Sequence, residues 1–255
     1  MLLKNFKMKI LVLGDGLLGT EIINQSGWDF ISRKKNGFDI NNNTQFEKYF
    51  LCLNDIGSKI KKYDVLINCI AHTDTYSKDK NLHWKTNYES IVNLTDFCNQ
   101  WKIKLVHIST DYVYTNSIKE ASENDIPIHG NNWYSYTKLL GDSYIELKSN
   151  NYLICRGSHK PNPFPYENAW VDHIGNFDYT DKISSIIINL VKNECEGIYN
   201  IGTNLKSIYD LGLETKKVNP IFKPTYVPEN VSMNLEKLNN FNKKINEKRI
   251  SNISL

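Results

Sequence analysis

The glycine-rich run "KILVLGDGLLG" at residues 9–19 constrains the fold more than any other stretch of the chain. Its first part, "KILVL", has the length and apolar character of a buried strand, and Gly14, Gly16 and Gly19 follow in the spacing G-x-G-x-x-G. Here the first glycine permits a tight turn, the second lets backbone N–H groups approach a pyrophosphate, and the third permits close helix packing. The run predicts a dinucleotide-binding unit whose contacts are Gly14, Asp15, Gly16, Leu17, Leu18 and Gly19.

Five further apolar runs alternate with segments that are long enough for helices. They are "DFIS" (29–32), "DVLINCI" (64–70), "KLVHIS" (104–109), "YLICR" (152–156) and "GIYNIG" (197–202). Strands and helices in alternation are typical of a parallel, doubly wound sheet with helices on both faces. We therefore predict an α/β fold of the Rossmann type.

The last fifty residues differ in character from the rest of the chain. Pro220, Pro224 and Pro228 interrupt it, and Asn and Lys dominate after them. We therefore predict a small C-terminal substrate lobe that ends in a loosely held tail. The predicted division is a dinucleotide-binding Rossmann core at 1–157, to which 178–203 return, and a substrate-binding lobe and tail at 158–177 and 204–255.

The composition argues against several classes of protein. A formal charge of +3, from 31 basic and 28 acidic residues, is too weak for a nucleic-acid-binding surface. Five cysteines without a C-x-x-C pair predict neither a disulfide framework nor a metal site, and a reducing cytoplasm fits them best. The apolar start "MLLKNFKMKILVL" leads directly into the glycine turn, and no stretch approaches the ~18–20 apolar residues of a membrane span. We expect a cytoplasmic protein without a nucleic-acid or membrane partner.

The end of the second predicted strand bears on the choice of nicotinamide cofactor. A carboxylate there would accept hydrogen bonds from both ribose hydroxyls of NADH, but this end reads "ISRKK", and Asp29 comes too early. Ser32 is small, and Arg33 supplies positive charge where a 2′-phosphate would lie. The pattern favours NADPH and leaves NADH open. The alternative interpretation is a solvated basic turn.

The segment "WYSYTK" (133–138) places Tyr134 and Lys138 four residues apart, on one face of a helix. A cation near a phenol lowers the phenol's pKa, so the two could act as an acid–base pair. The same spacing occurs in "YSKDK" (76–80) and in "YIELK" (144–148), so spacing alone does not choose among the three.

The surrounding sequence favours Tyr134. The strand "KLVHIS" ends in "STDYVY", which places Thr110 at the carboxyl edge of the sheet, and Tyr134 lies on the next predicted helix. Tyr76 lies in a polar loop, and Tyr144 is ten residues further along the helix, about 15 Å from Tyr134 at 1.5 Å per residue. Only Tyr134 is therefore expected to reach both Thr110 and a cofactor.

With these residues the chain resembles the extended short-chain dehydrogenase/reductases of the NAD-dependent epimerase/dehydratase superfamily, and within them the dTDP-4-dehydrorhamnose reductases. The matching stretches are "GDGLLG", "LINCIAHT", "TNYESIVNL", "HISTDYVY", "YSYTKLLGD", "LICRGS" and "FDYTDKI". The resemblance implies a catalytic triad of Thr110, Tyr134 and Lys138, with Tyr134 and Lys138 also touching the cofactor. It implies cofactor contacts or support from Asp39, Ile40, Cys69, Ile70, Ala71 and Asn87. Asn87 as a helix cap is the alternative.

The implied activity is reduction of a nucleotide-linked 4-keto-6-deoxy sugar by NAD(P)H. Tyr112 follows Asp111 where a dehydratase of this fold would carry a glutamate, which favours a reductase. An epimerase and a non-catalytic, dinucleotide-binding regulatory subunit remain alternatives. The predicted partner is a nucleotide-sugar substrate, and a homodimer stays open.

Three residues are candidate substrate contacts: His72, Tyr112 and Arg156. A neutral structural histidine is an equal alternative for His72, and a structural partner at the strand end is an equal alternative for Arg156. The segment from 159 to 176 and the tail match nothing in the family pattern, so the sugar and the nucleotide base stay undetermined.

Overall fold

The computed structural model describes residues 8–253. Residues 1–7 of the predicted core and residues 254–255 of the predicted tail lie outside the described residues. The strands are β1 (Ile10–Leu13), β2 (Asp29–Ile31), β3 (Leu51–Leu53), β4 (Lys59–Lys61), β5 (Val65–Asn68), β6 (Lys104–Ile108), β7 (Tyr152–Arg156), β8 (His159–Lys160), β9 (Asn168–Trp170), β10 (Ile174–Gly175), β11 (Asp178–Tyr179), β12 (Gly197–Asn200), β13 (Lys206–Ser207), β14 (Asn219–Ile221) and β15 (Asn230–Val231). The helices are α1 (Leu17–Ser26), α2 (Arg33–Asn36), α3 (Phe46–Phe50), α4 (Lys80–Trp84), α5 (Ser90–Trp101), α6 (Trp133–Lys148), α7 (Thr180–Lys192), α8 (Ile208–Leu213) and α9 (Glu236–Ile253).

The six apolar runs of the sequence form one parallel sheet, in the order β12-β7-β6-β5-β1-β2. The α/β Rossmann prediction is confirmed. The chain reverses its direction across the sheet between β1 and β5, because β2 lies on one side of β1 and β5 on the other. In sheets of this kind the crevice at such a reversal, outside the carboxyl ends of the strands, is where ligands bind.

Both faces of the sheet are buried, since alternate side chains of each strand point to opposite faces. Val12 of β1 packs with α1 and α7 on one face, and Leu11 and Leu13 pack with α5 and α6 on the other. All three side chains are buried. Coverage on both faces explains why the strands are continuous apolar runs rather than alternating ones.

The helical region after β5 is longer than the sequence pattern suggests. Helix α4 continues through a π-helical turn (Lys85–Glu89) directly into α5. Asn87 lies inside that turn and caps no helix, so the capping interpretation is wrong. Turns of this type occur frequently at functional sites.

Strands β3 and β4 pair with each other as a separate hairpin, and the remaining short strands after β7 form a lobe at the carboxyl edge of the sheet. Its own apolar cluster includes Phe164, Phe177, Tyr179 and Leu211, and β9 pairs with β14 while β10 pairs with β13 and β15. The tail differs from expectation, because residues 236–253 form α9 and Leu238 packs into the main core beside β12.

Two searches of the described chain are negative. Between residues 8 and 253, no helix combines the length and apolarity that crossing a membrane requires. Over the same span, no three His, Cys, Asp or Glu side chains cluster closely enough to hold a metal ion.

Candidate active site

The glycine turn after β1 has the geometry that the sequence predicts. Gly14 adopts a φ of 95°, which side chains disfavour. A Cβ at Gly19 would lie 2.2 Å from the Gly14 carbonyl oxygen, so α1 packs against the turn at a distance that only glycine permits. A Cβ at Gly16 would meet no protein atom within 4 Å, so the backbone there faces open space. The start of α1 thus presents its free N–H groups to an open cleft.

Two cavities lie on either side of this turn and share Gly16, Cys69 and Ala71. The first, of about 350 Å³, is lined by residues that include Asp15, Ser32, Arg33, Asp39, Ile40 and Ile70. The second, of about 330 Å³, is lined by residues that include Leu17, Leu18, Thr110, Tyr134, Lys138 and His159. The structure therefore brings together all of the predicted cofactor contacts except Gly19, which packs against the turn, and Asn87, in a cleft that runs past the glycine turn.

The first cavity carries charges of both signs. Arg33 pairs with Asp39 at 2.9 Å, and the Ser32 hydroxyl donates to the Asp15 carboxylate at 2.9 Å. Lys35 is turned away, with its ammonium 3.6 Å from the centre of the Phe30 ring. Arg33 is thus the basic side chain that lines the cavity, and Asp15, which follows β1 rather than β2, is a carboxylate that lines it as well.

Thr110 and Tyr134 meet in the second cavity. Thr110 begins a short 3₁₀ turn (Asp111–Tyr114), and its hydroxyl accepts the Tyr112 N–H at 3.2 Å. Burial raises the pKa of Tyr134 to about 12, although the nearby Thr110 hydroxyl lowers it. The expectation that Lys138 lowers this pKa is wrong, because burial dominates and the Lys138 ammonium points elsewhere.

Lys138 is buried with its Nζ turned towards β6. Its Nζ lies 2.9 Å from His107 Nε2 and donates to the Ile108 carbonyl at 2.7 Å. Burial lowers the pKa of Lys138 to about 8, against the attraction of Asp142 and the influence of Cys69. With two directions around Nζ occupied by β6, the third is available to the cavity that Tyr134 lines.

Arg156 is paired with Asp142 and Tyr114 and is not free to bind a diphosphate. Its guanidinium donates to Asp142 at 3.0 Å and to the Tyr114 hydroxyl at 2.6 Å, and the residue is 1% exposed. Ser109 donates to the same Asp142 carboxylate at 2.8 Å. The structure thus favours the alternative that the sequence left open for Arg156 and excludes contact between this guanidinium and a substrate in the cleft.

His72 and Asn87 support the loop after β5. The Asn87 side chain accepts the His72 N–H at 2.8 Å and donates to the His72 carbonyl at 3.0 Å. The His72 ring packs edge-on against His83 at 4.4 Å and borders the first cavity, away from Tyr134. Asn87 therefore holds the loop that borders the cofactor cleft but does not line the cleft itself.

Tyr112 lies between Tyr134 of the second cavity and Tyr76 of a larger outer cavity, and it lines neither cavity. Its hydroxyl lies 3.4 Å from that of Tyr76, and its ring packs edge-on against Tyr134. Tyr76 in turn packs edge-on against Tyr226 at 4.8 Å, and both line an open cavity of about 620 Å³. Tyr144, by contrast, donates to Asp96 and lines neither half of the cleft.

The sequence reasoning missed Asp111 as a site residue, although it adjoins Thr110. Asp111 is 1% exposed, accepts the Thr110 hydroxyl at 3.1 Å, and its Oδ2 has no hydrogen-bond partner among the described residues. Burial raises its pKa to about 6. A buried carboxylate with one unsatisfied oxygen beside the triad is suited to accept a hydrogen bond from a ligand.

Comparison with known proteins gives a match to one family model. A family model described as the RmlD substrate binding domain matches residues 8–159, more than half of the chain. A comparison with curated protein sequences finds no match.

Several solved structures share the fold. A dTDP-4-dehydrorhamnose reductase from Clostridium acetobutylicum is 23% identical, with 89% of this chain and 90% of that chain covered and a TM-score of 0.72. The enzyme of that name from Bacillus anthracis, in complex with NADP, is 21% identical over 92% of both chains, with a TM-score of 0.73. A UDP-rhamnose synthase from Acanthamoeba polyphaga mimivirus is 17% identical over 92% of this chain and 93% of that chain, with a TM-score of 0.69.

Proposed function

Because the chain belongs to the RmlD substrate binding domain family, we propose that it is an NAD(P)H-dependent reductase of a nucleotide-linked 4-keto-6-deoxy sugar. The observation that carries this proposal is the convergence of Thr110, Tyr134 and Lys138 on one cavity beside the glycine turn. Structures of the same fold include dTDP-4-dehydrorhamnose reductases, one of them solved with NADP.

The residues of the cavity divide the chemistry among them. A reduced nicotinamide, when bound, supplies the hydride to the keto carbon. Tyr134 donates its phenolic proton to the carbonyl oxygen, and the Thr110 hydroxyl hydrogen-bonds the same oxygen. Lys138 has one direction around Nζ left for a ribose hydroxyl, since His107 and the Ile108 carbonyl of β6 occupy the other two.

Tyr134 is in the protonated form that reduction requires. A general acid must be protonated, and the raised pKa of about 12 keeps the phenol protonated at neutral pH. Elimination of water across two sugar carbons would need a second acid–base carboxylate, and Tyr112 stands where that glutamate would be. An epimerase would use the same triad. It would differ in retaining its cofactor, so that no net oxidation of NAD(P)H takes place.

The outer cavity is the proposed site of the nucleotide part of the substrate. Tyr76 and Tyr226 offer aromatic surface, and Lys223 lies on the same wall. Residues 158–177 and 204–255 would form the substrate-binding lobe and the tail, with the tail ending in α9 against the main core. The five free cysteines support a reducing compartment such as the cytoplasm, and a homodimer stays a prediction.

The cofactor preference can be tested at Arg33. Replacing Arg33 with alanine should weaken NADPH binding about tenfold, the value of a charge-assisted hydrogen bond to phosphate, and leave NADH binding nearly unchanged. Titration of both cofactors by fluorescence measures this. Lys34→Ala is the matched control, because Lys34 is equally exposed but does not line the cavity. Tighter binding of NADH than of NADPH by the unmodified protein would overturn the NADPH preference, and Asp15 would then be the ribose acceptor.

The activity itself is tested with the pure protein and a panel of nucleotide-linked 4-keto-6-deoxy sugars. We expect one NAD(P)H to be consumed per sugar, read at the absorbance of the reduced nicotinamide, with the diphosphate link intact in the product. An isomerised sugar without net oxidation of NAD(P)H would mean that the protein is an epimerase. Cofactor binding without turnover on every sugar would favour the regulatory-subunit alternative.

A further inference from the structure

A seam of polar side chains lies in the core beneath the cavity, between β6 and α6. Leu105, His107 and Ser109 occupy alternate positions of β6 and its end, so they share one face. On α6, Lys138 and Asp142 are one turn apart and face them. His107 meets Lys138 at 2.9 Å, and Ser109 meets Asp142 at 2.8 Å. His107, Lys138 and Asp142 are each at most 1% exposed.

Asn68 extends this seam to β5. It is the register partner of His107 in the parallel pair β5–β6, and it is fully buried. We propose that Asn68 and His107 are positioning residues whose hydrogen bonds run in one direction and present a donor, His107 Nε2–H, to the Lys138 amine. No part of this arrangement follows from the catalytic roles of Thr110, Tyr134 and Lys138.

The direction of these hydrogen bonds follows from the atoms on each side of Asn68 and His107. The Asn68 amide oxygen accepts the Ile70 N–H at 3.0 Å, so the amide nitrogen must face His107 Nδ1, 3.3 Å away. An amide nitrogen only donates, hence Nδ1 accepts. A neutral imidazole that accepts at Nδ1 carries its hydrogen on Nε2, and burial with Lys138 nearby holds the pKa of His107 well below its usual value. His107 Nε2 lies nearer to Lys138 Nζ than to Asp142 Oδ1, which is 3.8 Å away.

A donor aimed at Nζ stabilises the uncharged amine of Lys138, because only the amine has a lone pair. The other groups around Nζ have mixed effects. Asp142 on α6 and Cys69 after β5 favour the charged form, Arg156 on β7 neutralises Asp142, and Tyr134 is uncharged at neutral pH. Together with burial, the His107 donor makes Lys138 a stronger acid than an ordinary lysine.

The consequence for catalysis rests on the proposed function. After Tyr134 gives its proton to the substrate oxygen, a proton must return to the phenolate. An ammonium with a lowered pKa gives up that proton readily, through a water in the cavity that both side chains line: the Nζ–H bond that faces the cavity breaks, an O–H bond forms at Tyr134, and the amine that remains accepts His107 Nε2–H. Solvent then reprotonates the amine.

The tautomer of His107 can be read without any turnover, so this test is independent of the proposed activity. In ¹⁵N NMR of histidine-labelled protein, with His107→Phe used to assign the signals, we expect a protonated Nε2 and a bare Nδ1. In Asn68→Asp the carboxylate accepts from Nδ1–H, and the tautomer should reverse. A protonated Nδ1 in the unmodified protein would overturn the proposal, and that spectrum decides the matter even if Asn68→Asp does not fold.

The pH profile gives a second readout once turnover is established. Protonated Lys138 is lost as pH rises through about 8, so kcat/KM should fall there. Asn68→Asp raises the pKa of Lys138 and should move this alkaline limb upward by about one pH unit or more. Val106→Ala is the matched control, since Val106 neighbours His107 but packs on the opposite face of the sheet. An alkaline limb that stays in place in Asn68→Asp would contradict the proposal.

Discussion

Replacement of Tyr134 by phenylalanine should slow the reduction of the keto sugar by ~10² to 10⁴, the range for losing a general acid. Phenylalanine keeps the ring that packs edge-on against Tyr112 and removes only the hydroxyl near Thr110. The fold and the cofactor cleft should therefore survive. Single-turnover kinetics measure the chemical step, and titration with NADPH checks that binding is retained.

Tyr144→Phe is the control for this result. Tyr144 lies on the same helix and also precedes a lysine by four residues, but its hydroxyl donates to Asp96 outside the cleft. We expect Tyr144→Phe to be nearly neutral for the chemical step. Equal losses from the two substitutions would show that the hydroxyl of Tyr134 has no special role.

The second large effect is expected at the glycine turn. In Gly19→Ala the new methyl group would lie 2.2 Å from the Gly14 carbonyl oxygen, and a backbone atom has no easy way to move aside. Overpacking of this kind costs about 1–3 kcal/mol, equal to a fall of roughly 2–10 °C in melting temperature. The displaced turn should also lose dinucleotide affinity by about tenfold or more, since each 1.4 kcal/mol is a factor of ten.

Gly16→Ala separates folding from binding at the same turn. No protein atom would lie within 4 Å of its methyl group, and φ at Gly16 is −67°, so the melting temperature should stay level or rise slightly. The methyl group would nevertheless occupy space that a pyrophosphate needs, so NADPH affinity should fall. Thermal melts and NADPH titrations of Gly19→Ala and Gly16→Ala measure the effects on stability and on binding separately. A Gly16→Ala protein that binds NADPH as tightly as the unmodified protein would contradict a cofactor site at this turn.

The sequence was sufficient for the sheet and for the composition of the cleft. All six strands were visible because a parallel sheet buries both faces, which makes each strand a short, continuous apolar run. The glycine spacing reports a backbone requirement at Gly14 and Gly19 that no other residue meets. The four-residue spacing of Tyr134 and Lys138 correctly placed both side chains on one face of α6.

The charges in the site could not be predicted in the same way, because they depend on burial and on partners distant in sequence. Spacing alone suggested that Lys138 lowers the pKa of Tyr134, but burial raises that pKa, and β6 holds the Lys138 ammonium. Arg156 at a strand end resembled an anion contact until its partner Asp142, on α6, was visible.

Helix α9 illustrates the limit of composition. Its Asn- and Lys-rich sequence resembles a solvated tail, yet Leu238 anchors it in the core. Leu238, with Phe241 partly buried beside it, gives too weak a pattern on so polar a helix to detect beforehand. His107 did leave a signal, since a histidine inside a buried strand needs hydrogen-bond partners that the sequence alone does not name.

The most direct test of the proposed reductase follows the hydride itself. The pure protein is incubated with a nucleotide-linked 4-keto-6-deoxy sugar and NADPH that carries deuterium at the transferable position of the nicotinamide. The proposal predicts one deuterium at C4 of the product sugar, seen by mass spectrometry and NMR, with one oxidised cofactor formed per product. A changed sugar without deuterium, or an unchanged sugar despite bound cofactor, would contradict it.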